Sequence, residues 1–462
     1  MKLFRTQTDF SKGSIPMLIL SLAIPNTVAQ IVNLLYNIVD RIFIGHIPEN
    51  ATLALNGLGV CFPIISMISA FTQLSATGGA PLFSIARGGK DDKEAQMLLG
   101  NSMSMLLFFG GTLTATFLIF KKPLLLLLGA SEQSLPYAAD YLTIYLCGSI
   151  FVMLSLGLNS FINAQGFAKY GMLTVAIGAF ANLLLDPLFI FVLHMGVKGA
   201  ALATILSQFL SALWTLFFLT GRKTEVKLTL SAMKQIDMRR IGRICKLGVS
   251  GFIMAVTNSI TQSAYNACLL QYGGDIYVTV MTVINSIRDL MEMPARGITQ
   301  SAQPVISYNF GAKKYDRVCK AIRFMAVILI SYTFVAWLIV SLTPHFFLKI
   351  FNSDPQLLKV GERALHIYFF GFCFMALQYV GQSTFTALGR SKSAVFFSIF
   401  RKVIIVLPLI YILPGMFGLG TDGIFMSEPI SNVIGGTACT VTMLITVYRK
   451  LRKMKNDTEA VL

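Results

Sequence analysis

The chain has 462 residues, 55% of them hydrophobic and only 13% charged; soluble domains carry about 25% charged residues, so an all-α polytopic membrane protein is expected instead. A net charge of +17 would suit nucleic acid if it lay on one folded face, but the basic residues concentrate in alternate loops, so no nucleic-acid partner is expected. Seven scattered cysteines with no C-x-x-C pair, and four scattered histidines without ligand spacing, exclude a disulfide framework and a zinc site.

Hydropathy marks twelve spans, near 15–45, 54–82, 97–120, 137–162, 171–193, 198–220, 247–271, 275–302, 321–343, 364–387, 393–413 and 423–447. Their length is helical, and the ten-residue alternation of a membrane barrel is missing. Met1–Ser14 is polar and the apolar run after it is too long for a signal h-region, so the first span is expected to act as its own insertion signal. Pro25 supplies that long span with a means to bend. On one side the loops hold 29 of the 38 Lys and Arg, on the other 6, and Arg41, Arg288 and Arg296 lie within spans. The positive-inside rule then predicts that both termini and the linker 221–246 are cytoplasmic.

The linker divides the spans six and six, giving lobes at 1–220 and 247–462. The halves repeat. Pro81/Pro304, Ser84/Ser307, Gly88/Gly311, Lys90/Lys313, Ala164/Ala387 and Gly166/Gly389 are all 223 apart, and Lys198-Gly199-Ala200 matches Asp422-Gly423-Ile424 at 224. An even number of spans per half gives both copies one orientation, as in transporters that rock one lobe against the other.

Within the first lobe, Asn182 and Asp186 are four apart on the fifth span and so share a helix face. Pro187 lacks an N–H and frees the carbonyl of Leu183 beside the same acid. An acid, an amide and a spare carbonyl form an oxygen-lined site for a proton or a small hard cation. Tyr36 and Asp40 repeat the four-residue spacing in the first span. Both spans enter from the same side, which puts Asp40 and Asp186 in the outer half, where the pair can share one proton or one Na⁺. A structural alternative pairs Asp40 with Arg41.

Pro25, the Val39–Gly45 stretch, Asp186-Pro187, Lys198-Gly199-Ala200-Ala201 and Gln303-Pro304 followed by Tyr308–Ala312 together resemble recurrent segments of the multidrug and toxic compound extrusion (MATE) family, in the branch of the DNA-damage-inducible exporters. The resemblance covers essentially the whole chain. It implies twelve transmembrane helices in two pseudo-symmetric six-helix lobes. It also implies a cation site of Asp40, Asn182, Asp186 and Thr204, which would hold Na⁺ if Na⁺ is the coupling ion. Tyr36 and Asn159 would join its polar network, with Pro25 and Pro187 as helix hinges. Family members export cationic, aromatic compounds against inward H⁺ or Na⁺.

In the second lobe Leu407 precedes Pro408 where the first has Asp186-Pro187, and Glu428 takes the repeat position of Thr204. Glu428 is either a second protonation or substrate-charge site or a structural hydrogen-bond partner. Arg288, Glu292 and Arg296 fall on one face of the eighth span, which reads as a buried ion-pair ladder; Asp289 points elsewhere.

The expected protein is therefore a monomeric secondary antiporter of the bacterial cytoplasmic membrane. It would take cationic, lipophilic substrates and H⁺ or Na⁺, with membrane lipid around it and no cofactor. The alternative is a lipid-linked oligosaccharide flippase of the same superfamily. An intramembrane enzyme is disfavoured, because no G-x-G-D pair, H-E-x-x-H helix or Ser/His dyad is present, and a nucleotide-driven pump because no P-loop occurs.

Overall fold

Every span marked by hydropathy is helical in the computed structural model, which describes residues 7–47, 51–351, 354–416 and 418–459. In chain order the long helices are α1 (Ile15–Gly45), α2 (Ala51–Gly88), α3 (Asp92–Leu127), α4 (Leu135–Ala164), α5 (Ala168–Val192) and α6 (Gly196–Thr220), then α7 (Met238–Gly273), α8 (Asp275–Gly311), α9 (Tyr315–Leu342), α10 (Pro355–Ala387), α11 (Ser391–Gly415) and α12 (Gly420–Asn456). Eleven are long and apolar enough to cross a membrane. The twelfth, α8, carries Arg288, Asp289, Glu292 and Arg296 in its middle. Several helices outrun their apolar stretch because their polar ends are capped. The Asp91 side chain, for instance, accepts the Glu94 N–H at 2.9 Å and starts α3 five residues before the expected span.

Two compact units divide the chain: Met1–Phe10 with Ile24–Phe252, and Ser11–Ala23 with Ile253–Leu462. The boundary drawn from sequence differs at both ends. At the amino end, Arg317 donates to the carbonyls of Gly13 (2.9 Å) and Lys12 (3.1 Å), and Lys314 to that of Ser11 (3.2 Å), holding this stretch to the second unit. In the middle, the basic linker is docked on the first unit. Gln165 and Val226 exchange two hydrogen bonds of 3.2 Å, Asn101 binds Gln235 O and the Asp237 N–H, and Arg87 pairs with Glu225. Arg240 reaches Glu94 at 2.8 Å.

In the first unit α4 is central, packed against α2, α3, α5 and α6 over a core that includes Phe83, Phe161, Leu146 and Ile205. In the second, α10 packs against α8, α9 and α12 around Tyr265, Phe369 and Phe425.

The repeat is physical. Lys90 and Lys313, at 223 spacing, both adopt left-handed backbone, φ 61° and 58°, at the ends of α2 and α8. Gly166 and Gly389 do the same after α4 and α10, φ 86° and 68°. Side chains from the preceding helices cap matching carbonyls: Arg87 binds Ala164 O at 2.9 Å and Ser307 binds Ala387 O at 2.7 Å. A Cβ on Gly199 would come within 2.8 Å of the Phe189 carbonyl, and one on Gly423 within 2.8 Å of that of Leu413. Each glycine lets α6 or α12 start hard against the helix before it.

Both Asp-Pro and Leu-Pro sites lie beside wide helical turns. α5 continues through Pro187 and opens into a π turn at Leu188–Val192; α11 has a π stretch at Phe400–Val406, ahead of Leu407-Pro408. Proline withholds one N–H, and the neighbouring turn widens. α1 likewise runs through Pro25 unbroken, and the division between units falls at Ala23/Ile24, beside that proline.

Candidate functional site

Of the sequence-marked residues of the first unit, Tyr36, Asp40, Asn182 and Asp186 lie together, and Asn159 shares a cavity wall with Tyr36. Asn182 donates to Asp186 Oδ1 at 3.2 Å, as their helical spacing requires. Asp186 is fully buried, Asn182 is 1% exposed and Asp40 9%. The Asp40 and Asp186 carboxyls face each other at interaction distance, across from α1 to α5. Two ionised carboxylates offer only acceptors, so they lie together stably when a proton or a cation sits between them. Tyr36 lies within electrostatic reach of both acids and hydrogen-bonds Gln208. Tyr141 lies within electrostatic reach of Asp40 and Tyr36, and Tyr145 within reach of Tyr36.

Tyr36 and Asn159 also line a cavity of about 340 Å³, counting its open mouth, with Asn33, Ser155, Thr174 and Gln208. Ser155 donates to Gln208 Oε1 at 2.7 Å, which fixes the amide that Tyr36 meets. The acid pair is thus joined to a polar cavity through Tyr36. Asp186 Oδ2, Thr204 Oγ1 and Asn159 Oδ1 are buried with no hydrogen-bond partner among the described residues. Such oxygens are suited to a proton or a hard cation. With the Asp40 carboxyl, the free oxygen of Asp186 suits Na⁺ by donor type, and it suits H⁺ equally. No group of three or more His, Cys, Asp or Glu that could hold a metal occurs among the described residues. The side chain of Arg41, the structural alternative for Asp40, lies outside them.

Gln208, Tyr141 and Tyr145 were not marked by sequence. Gln208 carries a faint signal, four residues beyond Thr204 on the same face of α6; the two tyrosines carry none.

The second unit holds a different arrangement. Glu428, 2% exposed, receives Lys402 Nζ on both oxygens at 3.2 Å and Arg401 Nη1 on Oε1 at 3.1 Å. Tyr265 OH is 3.4 Å from Oε2 and 2.6 Å from Ser427 Oγ. The charge count by loops had placed Arg401 and Lys402 with the cytoplasmic residues. They lie instead within α11, Arg401 half-buried and Lys402 buried. Ten residues of helix precede Arg401, a rise of about 15 Å, so the pair is carried well inside the span. The orientation count falls from 29 to 27 and keeps its sign.

The α8 ladder is present, with Arg296–Glu292 at 2.6 Å and Arg288–Glu292 at 3.5 Å. Asp289 does not stand apart from it: Arg288 reaches it at 3.5 Å and Arg296 at 3.7 Å, the long guanidinium stems spanning both faces. Tyr379 donates to Glu292 at 3.0 Å, and Arg288 to Tyr368 at 2.8 Å.

Against known proteins, the family model MatE matches residues 25–188 and again 251–412. The chain is 24% identical over 448 residues to the multidrug export protein MepA of Staphylococcus haemolyticus (strain JCSC1435), covering 97% of this chain and 96% of that one. To MepA of Staphylococcus aureus (strain MSSA476) it is 22% identical over 452 residues, 97% of each. A solved structure of MATE in the bent conformation superposes with a TM-score of 0.91 at 22% identity, over 98% of this chain and 99% of the other.

Proposed function

This chain belongs to the MATE family of transporters, and we propose that it is a secondary antiporter that expels lipophilic, cationic compounds in exchange for H⁺ or Na⁺ entering at Asp40 and Asp186. The observation that carries the reading is the pair of facing carboxyls in a buried, oxygen-lined pocket. When an ion binds, the like charges stop repelling and α1 and α5 can close on one another; when it leaves, they are driven apart. Asn182 holds one oxygen of Asp186 in place. Tyr36 links the acids to the cavity, so a change in the pair is felt at the cavity wall. Thr204 and the orphaned oxygens supply the remaining donors.

One charge moving through 100 mV supplies about 2.3 kcal/mol, roughly fortyfold in concentration. If one monovalent substrate leaves for each H⁺ that enters, the voltage cancels and the pH gradient alone drives export. The basic loops favour a protein of the bacterial cytoplasmic membrane with both termini cytoplasmic, working as a monomer. The name of the staphylococcal relatives supports several drugs as cargo in place of one metabolite.

Dye efflux from proteoliposomes under separately imposed pH and Na⁺ gradients tests the proposal. Asp40→Asn and Asp186→Asn should each stop gradient-driven efflux without loss of folded protein. Efflux that persists in both variants removes the pair from the mechanism.

A further inference from the structure

Among the described residues, the basic and acidic side chains clustered on α8, α11 and α12 do not pair one to one. Around α8, Arg288 and Arg296 face Asp289 and Glu292, two against two. Around α12, a single carboxylate, Glu428, faces both Arg401 and Lys402. One basic side chain is left without a carboxylate of its own inside membrane-spanning helices, where an uncompensated cation is strongly unfavourable. Its location can be narrowed. Lys402 Nζ is taken up by both oxygens of Glu428. Arg401 commits only Nη1, shared between Glu428 Oε1 and Asn432 Oδ1. Its Nη2 and Nε donate to nothing among the described residues, and its side chain keeps 14% of its surface exposed.

Those donors lie along the outer edges of the guanidinium, where a carboxylate or phosphate is received. The stem that presents them is held in place by a missing side chain: a Cβ on Gly435 would lie 2.9 Å from Arg401 Cγ. We propose that Arg401, set by Gly435 and backed by Lys402 and Glu428, is a binding site for one anionic group, a carboxylate or a phosphate monoester. The group belongs to a transported molecule, so that the protein takes zwitterionic or anionic cargo in addition to plain cations. Glu428 is the built-in counter-ion that tolerates the empty site, and the incoming anion completes neutrality. The inference rests on the transporter reading only for the identity of the ligand as cargo; it does not use Asp40 or Asp186.

The test is equilibrium binding of two dyes to the purified full chain in phosphatidylcholine nanodiscs, with no gradient. Rhodamine 6G is an ester and a cation; rhodamine 19 is the same ring system with the carboxylate free. Arg401→Gln is expected to weaken rhodamine 19 about tenfold, the scale of one lost charge-assisted contact, and to leave rhodamine 6G within about twofold. Gly435→Ala keeps every charge and displaces the stem, and it should reproduce the same selective loss; it decides the matter if Arg401→Gln does not fold. Asp186→Asn should leave the dye preference untouched even if export is abolished. Adding phosphatidylglycerol distinguishes the source: unchanged rhodamine 19 affinity assigns the site to cargo, and competition by this lipid assigns it to a headgroup and overturns the claim about substrates. Equal weakening of both dyes, or no change in either variant, also overturns it.

Discussion

Asp186 on α5 and Glu428 on α12 are both buried acids, one in each unit, and they live in opposite surroundings. No Lys or Arg reaches Asp186 among the described residues; its company is Asp40, Asn182 and Tyr36. Glu428 is held between two cations. A carboxylate already matched by cations gains little from binding another ion and has little reason to release one. One that faces a second carboxyl changes its interactions whenever an ion arrives or leaves. One family model matches both halves, yet their buried acids differ: under the proposed exchange the first would respond to an ion, and the second would keep a fixed charge.

The contrast can be broken outright at Asp186. Asp186→Asn should reduce gradient-driven dye efflux by more than about a hundredfold, whereas Glu428→Gln should retain a gradient response; equal loss of coupling in both would erase the distinction. Glu428→Gln should instead act on stability. It leaves Arg401 and Lys402 without their carboxylate, and loss of about 3–5 kcal/mol is expected in thermal or denaturant unfolding of the purified protein. Asn182→Ala removes the donor that holds Asp186 and should slow efflux about tenfold, with unfolding changed little, as one hydrogen bond to a charged group would predict. The shared ancestry is sharpened by Gly199→Ala and Gly423→Ala. Each pushes a methyl group into a backbone carbonyl and should destabilise by about 1–3 kcal/mol, to a similar degree in either half. Smallest is Tyr36→Phe, a few-fold change in efflux rate, because the ring still fills its place and only the hydroxyl contact to Gln208 is lost.

Much of the first site was legible in the chain because helices impose spacing. Asn182 with Asp186, and Tyr36 with Asp40, announce themselves four residues apart in apolar runs, and the common direction of α1 and α5 brings the two acids to one depth. The repeat was legible because glycine and proline mark backbone positions that a duplication keeps; Gly199 and Gly423 pack in the same way, and Lys90 and Lys313 share one turn. Arg401 and Lys402 were misplaced because a count by loops treats the polar start of α11 as one block with Arg390 and Lys392. The partner that draws them inward, Glu428, is 26 residues from Lys402 along the chain. Asp289 was hard to place for a related reason: spacing fixes where a side chain leaves the helix, and a guanidinium can travel round it. The linker's docking depends on Gln165, Asn101 and Arg87 offering hydrogen bonds from separate helices, a pattern that no local stretch encodes.

The wide turn in α11 has a geometric corollary. A π turn stores one residue more than the α-helix around it, and successive α-helical residues are about 100° apart around the axis. Arg401 and Lys402 are neighbours within such a stretch, Phe400–Val406. Sliding the surplus residue past them by a single step would swing one cation toward the bearing the other had held, with neither end of the helix unwinding.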